Sequence, residues 1–372
     1  MNSLINEIEN EIKNINNKII LKNEKLNTII YTTTNLYEDN LINFSKAFNS
    51  LFNYNKDNNN CLNCYIINNN NIFENAIKVL DDKDLIENEA ITNFNNATIN
   101  TSLTKCSRDY NYYIMKCYEY FIYVFDKKNK SCFMIIKDNK KVITMINILL
   151  LTPYLMYGEL YAVHGGLVNK NDKNILINNS SLGGKTTFAI LFASNDWDII
   201  TEETTYITKT GQILPFNIRN YFNIRVGTYL NFLDFFKTKN IIIDEFINMK
   251  QKKSNELFDL GKKAQISVDF EKIGKFKNLV NSNITHSLKV ALEKEQTFKI
   301  EQCSSIENVN SFLELSLAPT VLLFTELLNF YDINELERKQ QLEQIFNKTK
   351  SFKINSGFDY RGHFNEIIGN IK

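Results

Sequence analysis

The sequence has no excess of charge of either sign and no long apolar run. Its 372 residues include 43 Lys and Arg against 42 Asp and Glu. Without a basic field the chain is not expected to be a general nucleic-acid binder. The most apolar stretch, Val142–Tyr157, is interrupted by polar residues and Pro153. It is too short and too polar to cross a bilayer, so no membrane association is expected.

Cysteine is sparse, and its spacing does not form a framework. The six cysteines are scattered, and Cys61 and Cys64 form a lone C-x-x-C. A zinc site would need a second pair at suitable spacing, for which Cys106 and Cys117 are poor candidates. Nothing at the N-terminus resembles a signal peptide, so a reduced cytoplasmic protein is expected.

Glycine is also scarce, but it is concentrated in one region. The chain has 12 glycines, and five of them lie between residues 158 and 184. Within this region, Asn174–Thr187 has the pattern of a buried strand, a small-residue turn and Gly-Lys-Thr at the start of a helix. A phosphate-binding P-loop has the form G-x-x-x-x-G-K-[ST]. Gly184, Lys185 and Thr186 fit this form, whereas Asn179 replaces the first glycine.

The residue types in this segment suit phosphate binding. Helix N-termini present unpaired N–H groups to anions, and glycines allow close approach. Lys185 can bridge the β- and γ-phosphates, and the Thr186 hydroxyl can ligate Mg²⁺. Asn179 stands where the pattern needs a positive φ, which asparagine tolerates best among non-glycine residues. The alternative is a glycine-rich helix start that binds nothing. The predicted nucleotide-binding residues are Asn179, Ser180, Ser181, Leu182, Gly183, Gly184, Lys185, Thr186 and Thr187.

Two adjacent carboxylates, Glu202 and Glu203, follow the next predicted strand. A helix over 185–195 rises about 16 Å, and a strand over 197–201 returns about the same distance. A right-handed crossover would therefore bring both carboxylates beside the P-loop. There, one could hold Mg²⁺ and the other could accept a proton from an attacking hydroxyl. The alternative is a pair of solvated surface acids.

Three segments, 162–168, 175–186 and 197–203, together resemble the catalytic core of bacterial HPr kinase/phosphorylase. That family has a His-Gly-x-Leu-Val strand, a P-loop, and an acidic pair 17 and 18 residues after the P-loop lysine, offsets that Glu202 and Glu203 match. Phosphoenolpyruvate carboxykinase shares the P-loop architecture. The resemblance implies an α/β (α+β) fold with a P-loop core of this type.

The resemblance also implies roles for individual residues. Lys185 would contact the transferring phosphate, and Thr186 and Glu203 would lie on the metal side. Glu202 would be the general base for the acceptor hydroxyl. His164 would lie close to the acidic pair; the alternative is a strand-edge histidine packed against a turn.

The family signature Glu-Ile-Arg-Gly-Leu-Gly is absent, and only a weak echo occurs at Phe222–Thr228. Within it, Arg225 is either a phosphate-contacting arginine, since a planar guanidinium suits phosphate oxygens, or a surface strand residue. The missing signature argues against the HPr kinase itself and for a related kinase with another acceptor.

The sequence therefore predicts a kinase that depends on Mg²⁺ and on ATP or another nucleoside triphosphate, and whose acceptor is a serine of a peptide or protein. Two alternatives remain: a small-molecule kinase, and a nucleotide-binding P-loop protein without catalysis. Assembly into a homo-oligomer is implied by the resemblance alone.

The pattern divides the chain into two domains. An N-terminal α+β domain is predicted over 1–138, and the P-loop catalytic domain over 139–372. Apolar residues at helical spacing predict a leading amphipathic helix over 1–29. Aromatic and β-branched runs between 112 and 136 predict an antiparallel meander. The charged segment 237–273 is interpreted as a lid or docking insert, or as a solvated insertion.

Overall fold

The fold is given by a computed structural model. The residues that it describes are 2–13, 17–22, 27–32, 61–81, 91–94, 97–100, 103–108, 111–117, 121–129, 131–137, 160–179, 183–202, 204–214, 221–249, 256, 264–275, 279, 282–293, 296–308, 332 and 334–371. Helices and several mixed sheets alternate along the chain, so the predicted α+β class is confirmed.

The chain divides into two compact units. Unit 1 comprises 1–159 and 317–335, and unit 2 comprises 160–316 and 336–372. The sequence prediction placed the boundary at residue 138, and 138–159 lies outside the described residues. The boundary at residue 138 therefore stays a prediction.

Unit 1 is built around a seven-stranded sheet with the strand order β1-β2-β3-β9-β8-β7-β6, while β4 and β5 form a separate hairpin. Its described elements are α1 (Asn2–Lys13), β1 (Asn17–Lys22), β2 (Asn27–Thr32), β3 (Cys61–Asn68), α2 (Asn70–Leu80), β4 (Ile91–Phe94), β5 (Ala97–Asn100), β6 (Leu103–Arg108), β7 (Tyr112–Cys117), β8 (Phe121–Asp126) and β9 (Ser131–Ile136). Strands β7, β8 and β9 pair antiparallel, which confirms the predicted meander.

The two described helices of unit 1 bury one apolar face each. Leu4, Ile5 and Ile8 of α1 belong to the same core as Ile72 and Phe73 of α2. This spacing is typical of an amphipathic helix, so the pattern explains α1. The prediction of one helix over 1–29 is nevertheless wrong for 17–22 and 27–29. The chain continues as the antiparallel strands β1 and β2.

Unit 2 contains a six-stranded sheet with the order β13-β11-β12-β18-β20-β19, a three-stranded sheet β10-β14-β15 and the pair β16-β17. Its described elements are β10 (Leu160–Val163), β11 (Gly165–Lys170), β12 (Lys173–Asn178), α3 (Lys185–Ala193), β13 (Asp198–Thr201), β14 (Thr205–Thr208), β15 (Ile213–Leu214), β16 (Tyr221–Arg225), α4 (Val226–Asn231), α5 (Leu233–Thr238), α6 (Asp244–Ile247), β17 (Gln265–Asp269), α7 (Phe270–Ile273), β18 (His286–Leu292), β19 (Lys299–Cys303), α8 (Glu335–Phe346), β20 (Lys350–Ser356), a 3₁₀ turn (Tyr360–His363) and α9 (Phe364–Ile371).

Helix α3 is the central helix of unit 2. Its residues 188–192 are all buried and belong to the larger core cluster, together with side chains of β12, β18 and β20. A helix that is apolar on every side must be enclosed by other elements. Only the first turn of α3 remains polar, with Lys185, Thr186 and Thr187 half-buried. The helix therefore presents its N-terminus as its one polar end.

The segment 237–273, interpreted from sequence as an insert, contributes to this core where the structure describes it. Ile241, Phe246 and Phe270 are buried in the larger cluster, and β17 pairs with β16. The simple picture of a solvated insertion is therefore wrong for these parts; 250–255 and 257–263 lie outside the described residues.

Within the described part of the chain, no helix has the length and apolar character needed to cross a membrane.

Candidate functional site

The connection from β12 to α3, called here the β12–α3 junction, consists of Asn179, Gly183, Gly184 and the first turn of α3. Gly184 is the N-cap residue, with φ of 99° in the left-handed region. A Cβ at this position would lie 2.6 Å from Cδ1 of Leu292. Both backbone conformation and space therefore require glycine here. No acidic residue occupies the first turn of α3, so its N–H groups and the positive end of the helix dipole suit an anion.

Asn179 closes the junction with its side chain. Its Nδ2 donates to the carbonyl oxygen of Gly183 at 3.1 Å and also to that of Val290 in β18. Lys185 Nζ donates to the Asn179 carbonyl oxygen at 3.0 Å, and the Leu292 N–H donates to the Gly183 carbonyl oxygen at 3.2 Å. The junction is therefore bonded both to itself and to the neighbouring strand.

The structure corrects the expected conformation of Asn179. The described non-glycine residues with positive φ are Asn171, Asp196, Asn240 and Asp332, and Asn179 is not among them. A Cβ added to Gly183 would lie 1.9 Å from Asn179 Nδ2, so the amide occupies the space beside that glycine. Asparagine thus stands at position 179 for its hydrogen bonds, and not because it tolerates a left-handed backbone.

Glu202 lies against the first turn of α3. The Thr186 hydroxyl donates to Glu202 Oε1 at 2.8 Å, and the glutamate is only 7% exposed. Strands β12 and β13 are both antiparallel to β11, which lies between them, so they run parallel to each other. Their C-terminal ends therefore share one edge of the sheet. The predicted position of Glu202 beside the junction is confirmed.

A second contact links α3 to α4. The hydroxyl oxygens of Thr187 and Thr228 lie 2.8 Å apart and form a hydrogen bond. Arg225, the N-cap residue of α4, is three residues from Thr228 and half-buried. Burial lowers the pKa of its guanidinium from the ordinary value, and the described residues provide it with no hydrogen bond or ion pair. A desolvated guanidinium of this kind suits an anionic ligand.

Two further residues lie at the same sheet edge. His164 is half-buried and immediately precedes Gly165, which pairs with Asn178 at the end of β12. Asn178 is fully buried, and neither atom of its amide has a hydrogen-bond partner among the described residues. Burying an amide without a partner costs about 1–3 kcal/mol. In native structures such groups are few and each calls for an explanation.

Four predicted site residues, Ser180, Ser181, Leu182 and Glu203, lie outside the described residues. Among those described, no cluster of three or more His, Cys, Asp or Glu side chains forms a ready metal cage. Mg²⁺ rarely uses such a cage, since it binds one or two protein oxygens together with phosphate oxygens and waters. The Thr186 hydroxyl and Glu202 carboxylate, in contact at 2.8 Å, are oxygen donors of the right kind, so they fit this ion.

Sequence reasoning did not single out Thr201, Thr205 and Thr228. Each is buried and bonded through its hydroxyl to another site element. The only signal was the threonine-rich surroundings of the acidic pair, Thr-Glu-Glu-Thr-Thr over 201–205. Threonine is equally common in ordinary strands, so that signal had no specificity.

A scan of the chain against protein-family models finds no match. A search of curated proteins likewise finds no relative. A functional assignment therefore depends on the residues and geometry of the site itself.

Proposed function

We propose that this protein is an ATP- and Mg²⁺-dependent kinase that transfers the γ-phosphate to a serine hydroxyl of a peptide or protein. The observation that carries the proposal is the 2.8 Å contact between the Thr186 hydroxyl and the Glu202 carboxylate at the N-terminus of α3. It combines an anion-binding helix end with an acidic oxygen suited to a metal. The resemblance of the motifs to HPr kinase supports the same reaction class.

The proposed binding of the triphosphate uses charge and backbone donors. The first turn of α3 offers N–H groups, and Lys185 offers an ammonium group whose Nζ now donates to the Asn179 carbonyl oxygen. Arg225 adds a guanidinium that makes no ion pair with the described residues. These groups would neutralise the charge that spreads over the phosphate oxygens during transfer, which is the main source of catalysis in phosphoryl transfer.

Thr186 and Glu202 would hold the metal. When bound, Mg²⁺ would neutralise charge on the β- and γ-phosphates. The direct contact between these two side chains favours a metal-side role for Glu202, in place of the base role that the resemblance implies. Glu202 would then bind the metal, and Glu203 would accept the proton from the acceptor hydroxyl. His164, at the same sheet edge, would lie close to the pair.

The transfer itself is a simple displacement. The acceptor oxygen forms a bond to the γ-phosphorus, and the bond between that phosphorus and the β–γ bridging oxygen breaks. The hydroxyl proton passes to the carboxylate base, and ADP leaves with the electron pair of the broken bond. The products are ADP and the phosphorylated acceptor.

The test measures MgATP binding by calorimetry, ATP hydrolysis, and phosphate transfer from ³²P-labelled ATP to a panel of serine peptides and small hydroxyl compounds. Lys185→Ala should lower turnover by about 10²-fold or more. Glu202→Gln should raise the Mg²⁺ requirement, and Glu203→Gln should lower kcat and change its pH profile. Lys237→Ala and Glu245→Gln, which alter exposed charges on α5 and α6, are the matched controls.

Three outcomes discriminate the hypotheses. Equal turnover in wild type, Lys185→Ala and Glu202→Gln would refute the kinase assignment. MgATP binding that depends on Lys185 but gives no transfer and no hydrolysis would identify a nucleotide-binding protein instead. Transfer to small hydroxyl compounds, with none to peptides, would select a small-molecule kinase.

A further inference from the structure

Two buried threonines bracket the turn that carries Glu202. Thr201 is the last residue of β13 and Thr205 the first of β14, and both side chains are fully buried. Their hydroxyl oxygens lie 2.7 Å apart. The end of β13 and the start of β14 are therefore joined directly, next to Glu202, which contacts Thr186.

The strand that leads to Glu202 is irregular just before the turn. Leu167 of β11 is opposite Thr201, but Val168 is opposite Ile199, so β13 has one extra residue in this pairing. At this bulge the Leu167 N–H donates to Thr201 Oγ1 at 3.0 Å. Bulges disrupt the local ladder and redirect the residues that follow, and they are frequent beside active sites. Here a side-chain hydroxyl accepts the bond at the point of disruption.

The protons of this network can be assigned. The Thr205 hydroxyl donates to the Gly165 carbonyl oxygen at 2.8 Å, since a carbonyl only accepts. The Thr201 hydroxyl must then donate to Thr205 Oγ1, while it accepts from the Leu167 N–H. The proton of each hydroxyl is thus used once, within a fully buried chain of three bonds. Complete satisfaction of this kind fixes a single geometry.

We infer that Thr201 and Thr205 are positioning residues, which hold the end of β13 against β11 and thereby set the distance from Glu202 to Thr186. This inference rests on the proposed function, because it concerns the Mg²⁺ side of that site. The Thr201 and Thr205 hydroxyls would then raise the Mg²⁺ affinity of the nucleotide complex without contacting either the metal or the nucleotide. The distance from Glu202 to Thr186 should affect catalysis, since a misplacement of about 1 Å can lower turnover about 10²-fold.

The test compares Thr201→Val, Thr205→Val, Thr201→Ser and Thr208→Val. Thr205→Val removes the bond to Gly165 but leaves the Leu167–Thr201 bond, so it is the milder variant if Thr201→Val does not fold. Thr201→Ser keeps the hydroxyl. Thr208, on the same strand β14, is buried and accepts from the Thr210 and Gln212 N–H groups. Thr208→Val is therefore a control for loss of a buried threonine hydroxyl away from Glu202.

Each variant is assayed for ATP affinity without Mg²⁺, for the Mg²⁺ concentration that gives half-maximal hydrolysis, and for kcat. Thr201→Val and Thr205→Val should raise the half-maximal Mg²⁺ concentration about tenfold and lower kcat about 10- to 100-fold. ATP affinity without Mg²⁺ should stay within about twofold, since the phosphate donors are intact. Thr201→Ser should keep the half-maximal Mg²⁺ concentration and kcat of wild type. Thr208→Val should change only the melting temperature.

The results separate the inference from the function on which it rests. If wild type binds and hydrolyses ATP in a Lys185-dependent manner, but Thr201→Val and Thr205→Val behave like Thr208→Val, the positioning role is wrong and the kinase assignment stands. If wild type shows no Lys185-dependent binding or turnover, the proposed function fails and the positioning role fails with it.

Discussion

Replacing Asn179 with glycine, the residue that the P-loop pattern has at this position, should damage the β12–α3 junction. The substitution removes the amide whose Nδ2 donates to the Gly183 and Val290 carbonyl oxygens. Each hydrogen bond contributes about 0.5–1.5 kcal/mol net. Added backbone freedom in the unfolded chain costs a further ~0.4–1 kcal/mol. With central values of about 1 kcal/mol for each of the two bonds and ~0.7 kcal/mol for the backbone, the expected loss in the free energy of unfolding is about 2.7 kcal/mol.

For a unit of this size, that loss corresponds to a fall of about 5–10 °C in the melting temperature. The proposed nucleotide binding should also weaken, because the phosphate groups would have to order a loop that keeps its bond from the Leu292 N–H but has lost its bond to the Val290 carbonyl oxygen. A cost of about 1.4 kcal/mol would weaken the MgATP affinity tenfold. Circular dichroism melting and calorimetric titration with MgATP measure the two effects separately.

The chain provides a matched control in Asn171→Gly, an identical substitution in the turn between β11 and β12. Asn171 has φ of 55°, a conformation that glycine adopts freely, and its contact to Asn169 uses the backbone oxygen. It should change stability by no more than about 0.5 kcal/mol. If Asn179→Gly matches or exceeds wild type in melting temperature and MgATP affinity, the hydrogen-bonding role of Asn179 is refuted.

Two further predictions concern single contacts in unit 2. Burial and, to a lesser extent, the positive charges of Lys350 and Lys173 lower the pKa of His286 to about 4. The unfolded chain binds this proton near pH 6.5 and the folded chain only near pH 4. Stability is therefore complete above about pH 6.5 and declines as the pH falls to 4, by at most about 3 kcal/mol. His286→Gln should flatten the melting temperature over pH 4–7, and an unchanged slope would contradict this origin. Thr187→Val and Thr228→Val, combined in a double-mutant cycle, should show a coupling of about 0.5–1.5 kcal/mol in denaturant unfolding. Strict additivity would mean that their 2.8 Å contact stabilises nothing.

Much of the site was predictable because its geometry is local. Helix α3 and strand β13 have similar lengths, so the chain returns to the level of the start of α3. The position of Glu202 therefore followed from about 20 residues of sequence. The insertion of β11 between β12 and β13 did not follow, since the choice of strand partner is not local. The role of Asn179 was missed for the same reason, because its partner Val290 lies 111 residues away.

The N-terminal segment shows a limit of periodicity. Apolar residues at helical spacing described α1 correctly and then continued into β1, where Ile19 and Ile20 are adjacent. β-branched residues fit a strand at least as well as a helix. Pairing with β2, whose residues lie only five to fifteen positions further along the chain, decided the outcome, and the helical spacing of the apolar residues hid this short-range strand pair.

The bonds from the junction to β18 have a consequence for biosynthesis. A ribosome releases the whole motif 174–203 well before residues 290 and 292 emerge, and the latter hold Asn179 and Gly183. Contacts of such sequence separation form late, after the entropy of loop closure has been overcome. A nascent or truncated chain that ends before β18 would therefore contain every residue of the motif and still lack its fixed shape. The proposed nucleotide site should therefore take its final shape late in folding.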